Sequence, residues 1–337
     1  MAAEASEETA GKNRWLLLGS VFGWAITLAA FADAVTQVAG ITPLNVFFVL
    51  QSLTPYLIAP VVLIALISLV RRRWRVLIPN LLTLGVLGWL CAPIVVPAGR
   101  GAAPANPARI TIAEANAYFE NTDADRAAAA LLASGADALA IVEYSPQLAS
   151  ALVLQGIDTK YPYHVSQSAS ARSGLALFSR FPLGHASIEP IGTQDGIVAT
   201  IDINGTPLRI LVVHPLPGEK QHDLSSWRHD LGAIGAAAAT PGPPIAIIGD
   251  FNATRWHPAF RELLDRGFTD VHTVLNHGWS RSWPVGYPLI PPFVRIDHAL
   301  VGAGVYPEAI RDLAVPGSDH LGFVVTLAEG TSGNSAG

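Results

Sequence analysis

Three uninterrupted apolar runs, at 15–32, 44–70 and 76–96, constrain this chain more than any other feature, because none of them contains Lys, Arg, Asp or Glu. A helix needs roughly 20 apolar residues to cross the hydrocarbon core of a bilayer, and each run is of that order or longer. A charge at the bilayer centre costs several kcal/mol, so its exclusion from all three runs speaks to the solvent they meet. The reading is three transmembrane helices. Pro55 and Pro60 would kink the second, which membrane helices tolerate where neighbours satisfy the freed carbonyls. Asn45, Gln51 and Asn80 are polar residues available for packing between helices.

These runs account for an unusual composition. The 337 residues are 50% hydrophobic and only 14% charged, and mean hydropathy is +0.38, whereas a soluble domain averages about 25% charged residues. A disordered or collagen-like chain is excluded, since apolar content is high and glycine has no period. The one cysteine excludes an internal disulfide framework and a multi-cysteine zinc site. A net charge of −5 gives no general electrostatic attraction to nucleic acid.

Basic residues give the orientation. Arg71, Arg72, Arg73 and Arg75 fill the link between the second and third runs, and Lys12 and Arg14 precede the first. The positive-inside rule places both clusters in the cytoplasm. A cytoplasmic tail (1–14), a membrane region (15–96) with its first loop and Asp33 outside, and an extracytoplasmic remainder follow. Ala30-Phe31-Ala32 also resembles a signal-peptide cleavage site, and cleavage there would leave the later topology unchanged.

A Pro/Gly/Ala linker (97–107) leads to a segment long enough for one domain (108–328), with a small polar tail (329–337) expected to be flexible. From residue 100 onward, 15 basic against 22 acidic side chains give a net charge of −7. Short β-rich runs recur at 109–115, 138–142, 174–178, 197–203, 208–213, 245–248, 295–301 and 322–327. Several are apolar almost throughout, as strands covered on both faces are. Helical patterns at 124–134, 146–154, 223–239 and 258–266 separate some of them, while others are joined by turns. The pattern is layered α/β with mixed sheets.

What ends the strands carries the chemistry. One run leads into Asn116, the next into Glu143, another into His214, and another into Gly249-Asp250-Phe251-Asn252. Asp297 lies inside the 295–301 run, and Asp319-His320 precedes the last strand. A single Asp, Asn or His at a strand end is most often a turn, cap or satisfied polar residue. The set combines carboxamides, carboxylates and imidazoles without a usable thiol, and such donors suit Mg²⁺ or Mn²⁺ rather than zinc. A divalent ion beside an imidazole base could activate water and neutralise charge on a phosphoryl oxygen.

In chain order, ANAYFENTDAD from Ala115, IVEYSP from Ile141, SGLALFSR from Ser173, VVHPLP from Val212, GDFNAT from Gly249, RIDHALV from Arg295 and GSDHLGFVV from Gly317 resemble the endonuclease/exonuclease/phosphatase family. The resemblance covers essentially the whole domain. It implies a four-layer sandwich of two mixed β-sheets flanked by helices, here preceded by three transmembrane helices. It further implies metal-dependent hydrolysis of a phosphate ester by in-line attack of water, in a family that includes deoxyribonucleases, apurinic endonucleases, sphingomyelinases and inositol-phosphate phosphatases.

By the same resemblance, Glu143 matches the principal metal-binding glutamate, and Asn116 the asparagine that helps order metal and phosphate. His320 matches the base that takes a proton from water, with Asp297 holding its other nitrogen. Asp319 would contact the metal or its water shell, and Asp250 and Asn252 would position nucleophile and phosphate. His214 matches a histidine that stabilises the phosphorane or protonates the leaving oxygen. Two departures stand out: Tyr118 occupies a position where some nucleases carry Asp, and no carboxylate matches the usual partner of the second histidine.

Other histidines read as structural. His257 reads as helix-start surface, His298 as strand packing, and His164, His185, His222, His229, His272 and His277 as solvated. Trp279, Trp283, Tyr287, Leu289, Ile290 and Phe293 crowd into a Pro-rich loop before Asp297. That loop reads either as cover for the sheet edge or as an apolar rim able to meet a membrane interface. Expected substrates are nucleic acid or phospholipid headgroups. A silent relative serving as an anchored binding or scaffold module is the competing reading, which the joint retention of Glu143, Asp250, Asn252, Asp297 and His320 opposes.

Overall fold

The structure is a computed structural model that describes residues 2–97, 99, 101, 103–220 and 222–330, with side chains from residue 19 onward. Most of the tail expected to be flexible, 331–337, lies outside the described residues. The chain divides into two compact units, Met1–Ala92 and Pro93–Gly337.

The first unit holds α1 (Ala2–Val38), α2 (Asn45–Ser52), α3 (Thr54–Val70) and most of α4 (Trp74–Val95). Two stretches, Gly19–Val38 and Trp74–Val95, are long and apolar enough to cross a membrane. The 44–70 run differs from the single kinked span expected of it, since α2 and α3 meet at 82°. Pro55 in the first turn of α3 lacks the N–H that would continue α2 through Leu53. The described helices therefore include two stretches long and apolar enough to cross a membrane, or three if the bent pair is taken as one.

Asp33, expected in the first outside loop, instead lies within α1, where it is buried. Nothing between Asp33 and Val38 breaks the helix, which ends only before Gly40 at a φ of 70°. Polar side chains close the break between α2 and α3. Gln51 Nε2 donates to Thr36 Oγ1 at 3.2 Å and to the Ile41 carbonyl at 3.0 Å, and its Oε1 accepts from Thr42 at 2.7 Å. Gln37 Nε2 donates to Thr54 Oγ1 at 2.7 Å, and Asn80 Nδ2 ties α4 to Thr27 of α1 at 2.9 Å. An unsatisfied amide in apolar surroundings costs several kcal/mol, so these pairs specify how the helices meet.

The second unit is built on two mixed six-stranded sheets. One comprises β1 (Ala108–Asn116), β2 (Ala138–Val142), β3 (Tyr163–Gln167), β4 (Leu175–Ser179), β11 (Val305–Ala314) and β12 (Leu321–Glu329), in the order β11-β12-β1-β2-β4-β3. The other comprises β5 (Leu183–Ile191), β6 (Gln194–Ile203), β7 (Thr206–Val213), β8 (Ile245–Asp250), β9 (Thr269–Asp270) and β10 (Asp297–Val301), in the order β5-β6-β7-β8-β10-β9. Helices α5 (Ala124–Ala133), α6 (Pro146–Leu154) and α7 (Ile157–Lys160) cover the outer face of the first sheet. Helices α8 (Leu224–Ala238) and α9 (Pro258–Asp265) flank the second, and one short turn, α10 (Val271–Val274), follows β9.

The core lies between the sheets, and its two-residue period fixes the site. Ile110 and Ile112 of β1, Ile210 and Val212 of β7, Ala246 and Ile248 of β8, and Ala299 and Val301 of β10 all face it. Continuing each alternation brings Glu114, Asn116, His214, Asp250 and Asp297 onto the same inward face. Strands β1 and β2 run parallel, as do β7 and β8, while β10 and β12 run antiparallel to their neighbours β8 and β1. Four C-terminal strand ends and two N-terminal ones thus meet at one edge.

Candidate active site

All of the side chains that the sequence marked meet at that edge. Asn116 Nδ2 donates to Glu143 Oε1 at 3.3 Å and to Asp250 Oδ2 at 3.1 Å, while its Oδ1 accepts from the Tyr118 amide at 3.0 Å. Asn116 thus clasps two carboxylates from opposite sheets and spends its own oxygen on the backbone. His214 Nε2 stands 3.7 Å from Glu143 Oε1 and 3.6 Å from Asp250 Oδ2. His320 Nδ1 bonds Asp297 Oδ2 at 2.9 Å, which leaves Nε2 facing Asp250 at 3.9 Å and Asp319 at 4.0 Å. Asn252 donates its amide to Asp250 Oδ1 at 2.7 Å and its Nδ2 to the Pro215 carbonyl at 3.0 Å.

Three residues here hold positive φ without being glycine: Tyr118 at 60°, Glu143 at 52° and Asn252 at 46°. Each such conformation costs on the order of 1–3 kcal/mol and persists only where surroundings enforce it. Here the enforcement is visible. Glu143 Oε2 accepts from the Phe119 amide at 3.0 Å, and the Tyr144 amide donates to the Gly174 carbonyl at 3.0 Å.

Several supporting groups escaped the sequence reading. Arg172 offers its backbone carbonyl to His214 Nδ1 at 3.1 Å, taking the place of the missing carboxylate partner. A carbonyl acceptor leaves no trace in side-chain identity. Ser282 Oγ accepts from the amides of Ile296 at 3.0 Å and Asp297 at 3.3 Å. Ser318 Oγ donates to the Asn116 carbonyl at 2.7 Å and accepts from the His320 amide at 2.9 Å, joining the ends of β1 and β12. Glu114 lies fully buried just below Asn116, a position its inward parity with Ile110 and Ile112 would have revealed.

The site is over-rich in negative charge. Burial, then the nearby Asp297 charge, pushes the Asp250 carboxyl up to about 6, against the pull of His320 and His214. Burial and the charges of Asp297 and Asp250 hold Glu114 well above the usual carboxylate range. Burial would lower His320, yet the charge and hydrogen bond of Asp297, with Asp250 and Asp319, carry it up to about 10. Burial acts to raise Asp297, but the His320 contact outweighs it and holds this carboxyl below its usual value. Asp297 Oδ1 and both Glu114 oxygens are buried with no hydrogen-bond partner among the described residues. Asp250, Asp297 and His320 each place a ligand atom within 4.8 Å of the others. A divalent cation suits such oxygen-rich, under-neutralised surroundings.

That fit predicts a pH-dependent thermal shift. Because the folded pKa of Asp250 is raised, the metal-free fold loses stability as pH climbs from its usual 3.8 through about 6. The raised His320 acts in the same sense, its contribution complete below its ordinary value of 6.5 and lost as pH rises through about 10. A cation replaces the lost protons, so Mg²⁺ or Mn²⁺ should raise Tm more at pH 8 than at pH 5.5, as differential scanning fluorimetry would show. A larger shift at pH 5.5 would contradict this.

A second cluster, Asp270, His272 and His298, also gathers ligand atoms within 4.8 Å. Arg295 Nη1 lies 2.8 Å from His272 Nε2. A guanidinium only donates, so that nitrogen accepts, Nδ1 keeps the proton, and no lone pair remains for a metal. Burial and the Arg295 charge press His272 down to about 3, keeping it neutral. His298 Nε2 bonds the Ala253 carbonyl at 3.0 Å, and the cluster pins β9 and β10 to the loop after β8. His272 and His257, expected at the surface, are both buried. The Thr254 amide donates to His257 Nδ1 at 2.9 Å, a contact between near neighbours that the fold then covers.

Residues 113–320 match the model of the endonuclease/exonuclease/phosphatase family. The chain belongs to that family. It is accordingly a hydrolase of phosphate esters that works with a divalent metal, and its acidic and histidine groups are of the kind that holds one. Solved structures share the fold. A humanized TDP2 from D. rerio is 17% identical, with a TM-score of 0.56 over 65% of this chain and 99% of that one. A family member from Beutenbergia cavernae is 17% identical, with a TM-score of 0.52 over 66% and 72%. The 3′ phosphatase NExo from Neisseria, solved with a product DNA hairpin, is 19% identical, with a TM-score of 0.51 over 66% and 100%. No curated protein matches the chain.

Proposed function

We propose that this chain is a membrane-anchored phosphodiesterase whose catalytic unit faces away from the cytoplasm and uses Mg²⁺ or Mn²⁺ to hydrolyse a phosphodiester of nucleic acid or of a phospholipid headgroup. The observation that carries the reading is the meeting of Glu143 and Asp250 with the Asp297–His320 pair at one edge of two sheets. Glu143 and Asp319 would hold the ion, with Asn116 keeping Glu143 and Asp250 in register. When bound, the ion supplies positive charge against a phosphoryl oxygen and lowers the pKa of a bound water.

His320 Nε2 is the proton acceptor for the attacking water, its ring fixed through Nδ1 on Asp297. It serves as a base once the field of Asp250 and Asp319 is neutralised. His214, with Nδ1 tied to the Arg172 carbonyl, turns Nε2 toward the site and there stabilises or protonates the leaving oxygen. Asp250 and Asn252 orient the nucleophile and the scissile phosphate.

Two apolar helices support membrane attachment. The Arg71–Arg73 and Arg75 cluster between α3 and α4 supports a cytoplasmic link there, with everything after α4 on the opposite side. For the substrate, NExo was solved with DNA, whereas the net charge of −7 from residue 100 onward favours a ligand other than a polyanion. The experiment is a side-by-side assay of the full-length chain on plasmid DNA and phospholipid vesicles, with and without Mn²⁺. Metal-dependent cleavage of one of them selects the substrate class. No cleavage of either together with no Mn²⁺ binding would favour the silent scaffold, whereas tight Mn²⁺ binding without cleavage would point to another phosphate ester.

A further inference from the structure

We propose that the loop between Trp283 and Phe293 is a lipid-contacting tip that seats the catalytic rim on a bilayer, so that the substrate is a phosphodiester presented at a lipid surface. This rests on the phosphoesterase reading and narrows its substrate. From Ser282 to Val294 the chain carries no charged residue, although Arg281 and Arg295 stand immediately outside. Leu289 is 93% exposed, Tyr287 56% and Ile290 48%. Apolar surface held in water is unfavourable in proportion to its area, so these side chains together form a patch that an apolar partner would cover.

The exposure is built into the loop. The Trp283 amide donates to the Val294 carbonyl at 3.0 Å, and the amides of Phe293 and Val294 return to the Trp283 carbonyl at 3.0 and 3.1 Å. The Trp283 and Phe293 rings pack edge to face at 6.1 Å, closing the stem with apolar surface. At the tip, the Ile290 amide bonds the Tyr287 carbonyl at 3.2 Å, and Pro288, Pro291 and Pro292 stiffen the strand on either side.

The same stem is fastened to the site. The Val285 amide donates to the Asp319 carbonyl at 2.8 Å, the Leu321 amide donates to the Ser282 carbonyl at 2.8 Å, and Ser282 Oγ caps the Asp297 amide. The apolar tip therefore stands on the rim of the cleft that holds His320. Lipid is the partner these features fit. A surface without charged side chains asks for no complementary ions, and tyrosine beside aliphatic residues is an interfacial composition. The chain also brings its own bilayer within reach. Two helices long and apolar enough to cross a bilayer, Gly19–Val38 and Trp74–Val95, precede the catalytic unit in the same polypeptide. With a net charge of −7 from residue 100 onward, insertion is apolar rather than electrostatic and is insensitive to salt.

The test uses the full-length chain in phosphatidylcholine nanodiscs. Cys91 is buried and is the one native thiol, so Cys91→Ala gives a clean background for Leu289→Cys carrying an environment-sensitive fluorophore. Leu154→Cys, at an 85% exposed position outside the loop, is the control. The 289 label should be quenched by nitroxide lipid and shielded from iodide at low and high salt, while the 154 label stays open to iodide. Equal iodide access at both positions overturns the proposal. So does shielding of the 289 label that persists in lipid-free amphipol, which would point to a second copy or a protein partner. In parallel, the Leu289→Asp/Ile290→Asp double variant should hydrolyse vesicle-borne phosphodiester at least tenfold more slowly than wild type, yet cleave soluble bis-p-nitrophenyl phosphate within twofold of it. Equal loss on both substrates, or on neither, contradicts the tip. Absence of turnover on the soluble ester in wild type would defeat the phosphoesterase reading, while the quenching result would still judge the tip.

Discussion

His320→Ala is expected to lower kcat for phosphodiester hydrolysis by about 10²–10⁴-fold, the usual worth of a positioned general base, while leaving the fold in place. Among the described residues the ring hydrogen-bonds only the Asp297 side chain, and its amide contact to Ser318 belongs to the backbone and survives the substitution. Asp297 would keep the Arg295 charge nearby and the Ser282 hydroxyl. A loss of one buried charge-assisted bond costs about 1.5–3 kcal/mol, within the 5–15 kcal/mol typical of a folded domain. The checks are steady-state kinetics at saturating Mn²⁺ and a circular-dichroism melt. Asp297→Asn should show a comparable fall in kcat through the wrong ring tautomer. Full activity in either variant would remove His320 from its proposed role.

Gly249→Ala should damage the fold itself. Gly249 has a φ of 147°, and a Cβ there would fall 2.1 Å from the Val213 carbonyl oxygen and 3.1 Å from the Val213 nitrogen. Those atoms belong to the neighbouring strand, paired in register with Gly249, so backbone must move before a methyl group fits. Strain of this kind belongs among the few substitutions that cost more than about 4 kcal/mol. Because Val213 leads into His214 and Gly249 into Asp250, the same movement would separate two site residues. Urea unfolding followed by tryptophan fluorescence should show a large fall in midpoint or no folded protein at all. A midpoint close to wild type would mean that the pairing of β7 with β8 is far more yielding than its geometry indicates.

The parts of the fold that were legible are those where burial dominates composition. Strands β2, β7 and β8 are mostly apolar, and α5, α6, α8 and α9 fall where periodicity puts them. Strands β3, β5, β9 and β11 were missed; of these, β5 and β11 are half-exposed edges. Gly184 and Pro190 interrupt the first, and Pro307 with a register shift interrupts the second, which also carries Glu308, Arg311 and Asp312. Pro55 marked a kink in the apolar 44–70 run, but neither hydropathy nor the proline's position sets its size, which reaches 82° between α2 and α3. In the site, side chains at strand ends could be marked from sequence. The Arg172 carbonyl that holds His214 could not, since its position depends on how the loop before β4 folds. The buried cluster around Asp270 was likewise hidden, because His272 and His298 find Arg295 and Ala253 only in three dimensions.

The central claim is that a divalent cation and the Asp297–His320 pair act together in one phosphoesterase site. The most direct measurement is hydrolysis of bis-p-nitrophenyl phosphate by the full-length chain across a Mn²⁺ titration, with Glu143→Gln and His320→Ala alongside. Wild type should show saturable, EDTA-reversible turnover. Glu143→Gln should need much more Mn²⁺ to reach a lower plateau, and His320→Ala should stay at a plateau at least a hundredfold down at any Mn²⁺ concentration. Metal-independent turnover in wild type, or turnover indifferent to both substitutions, would contradict the account.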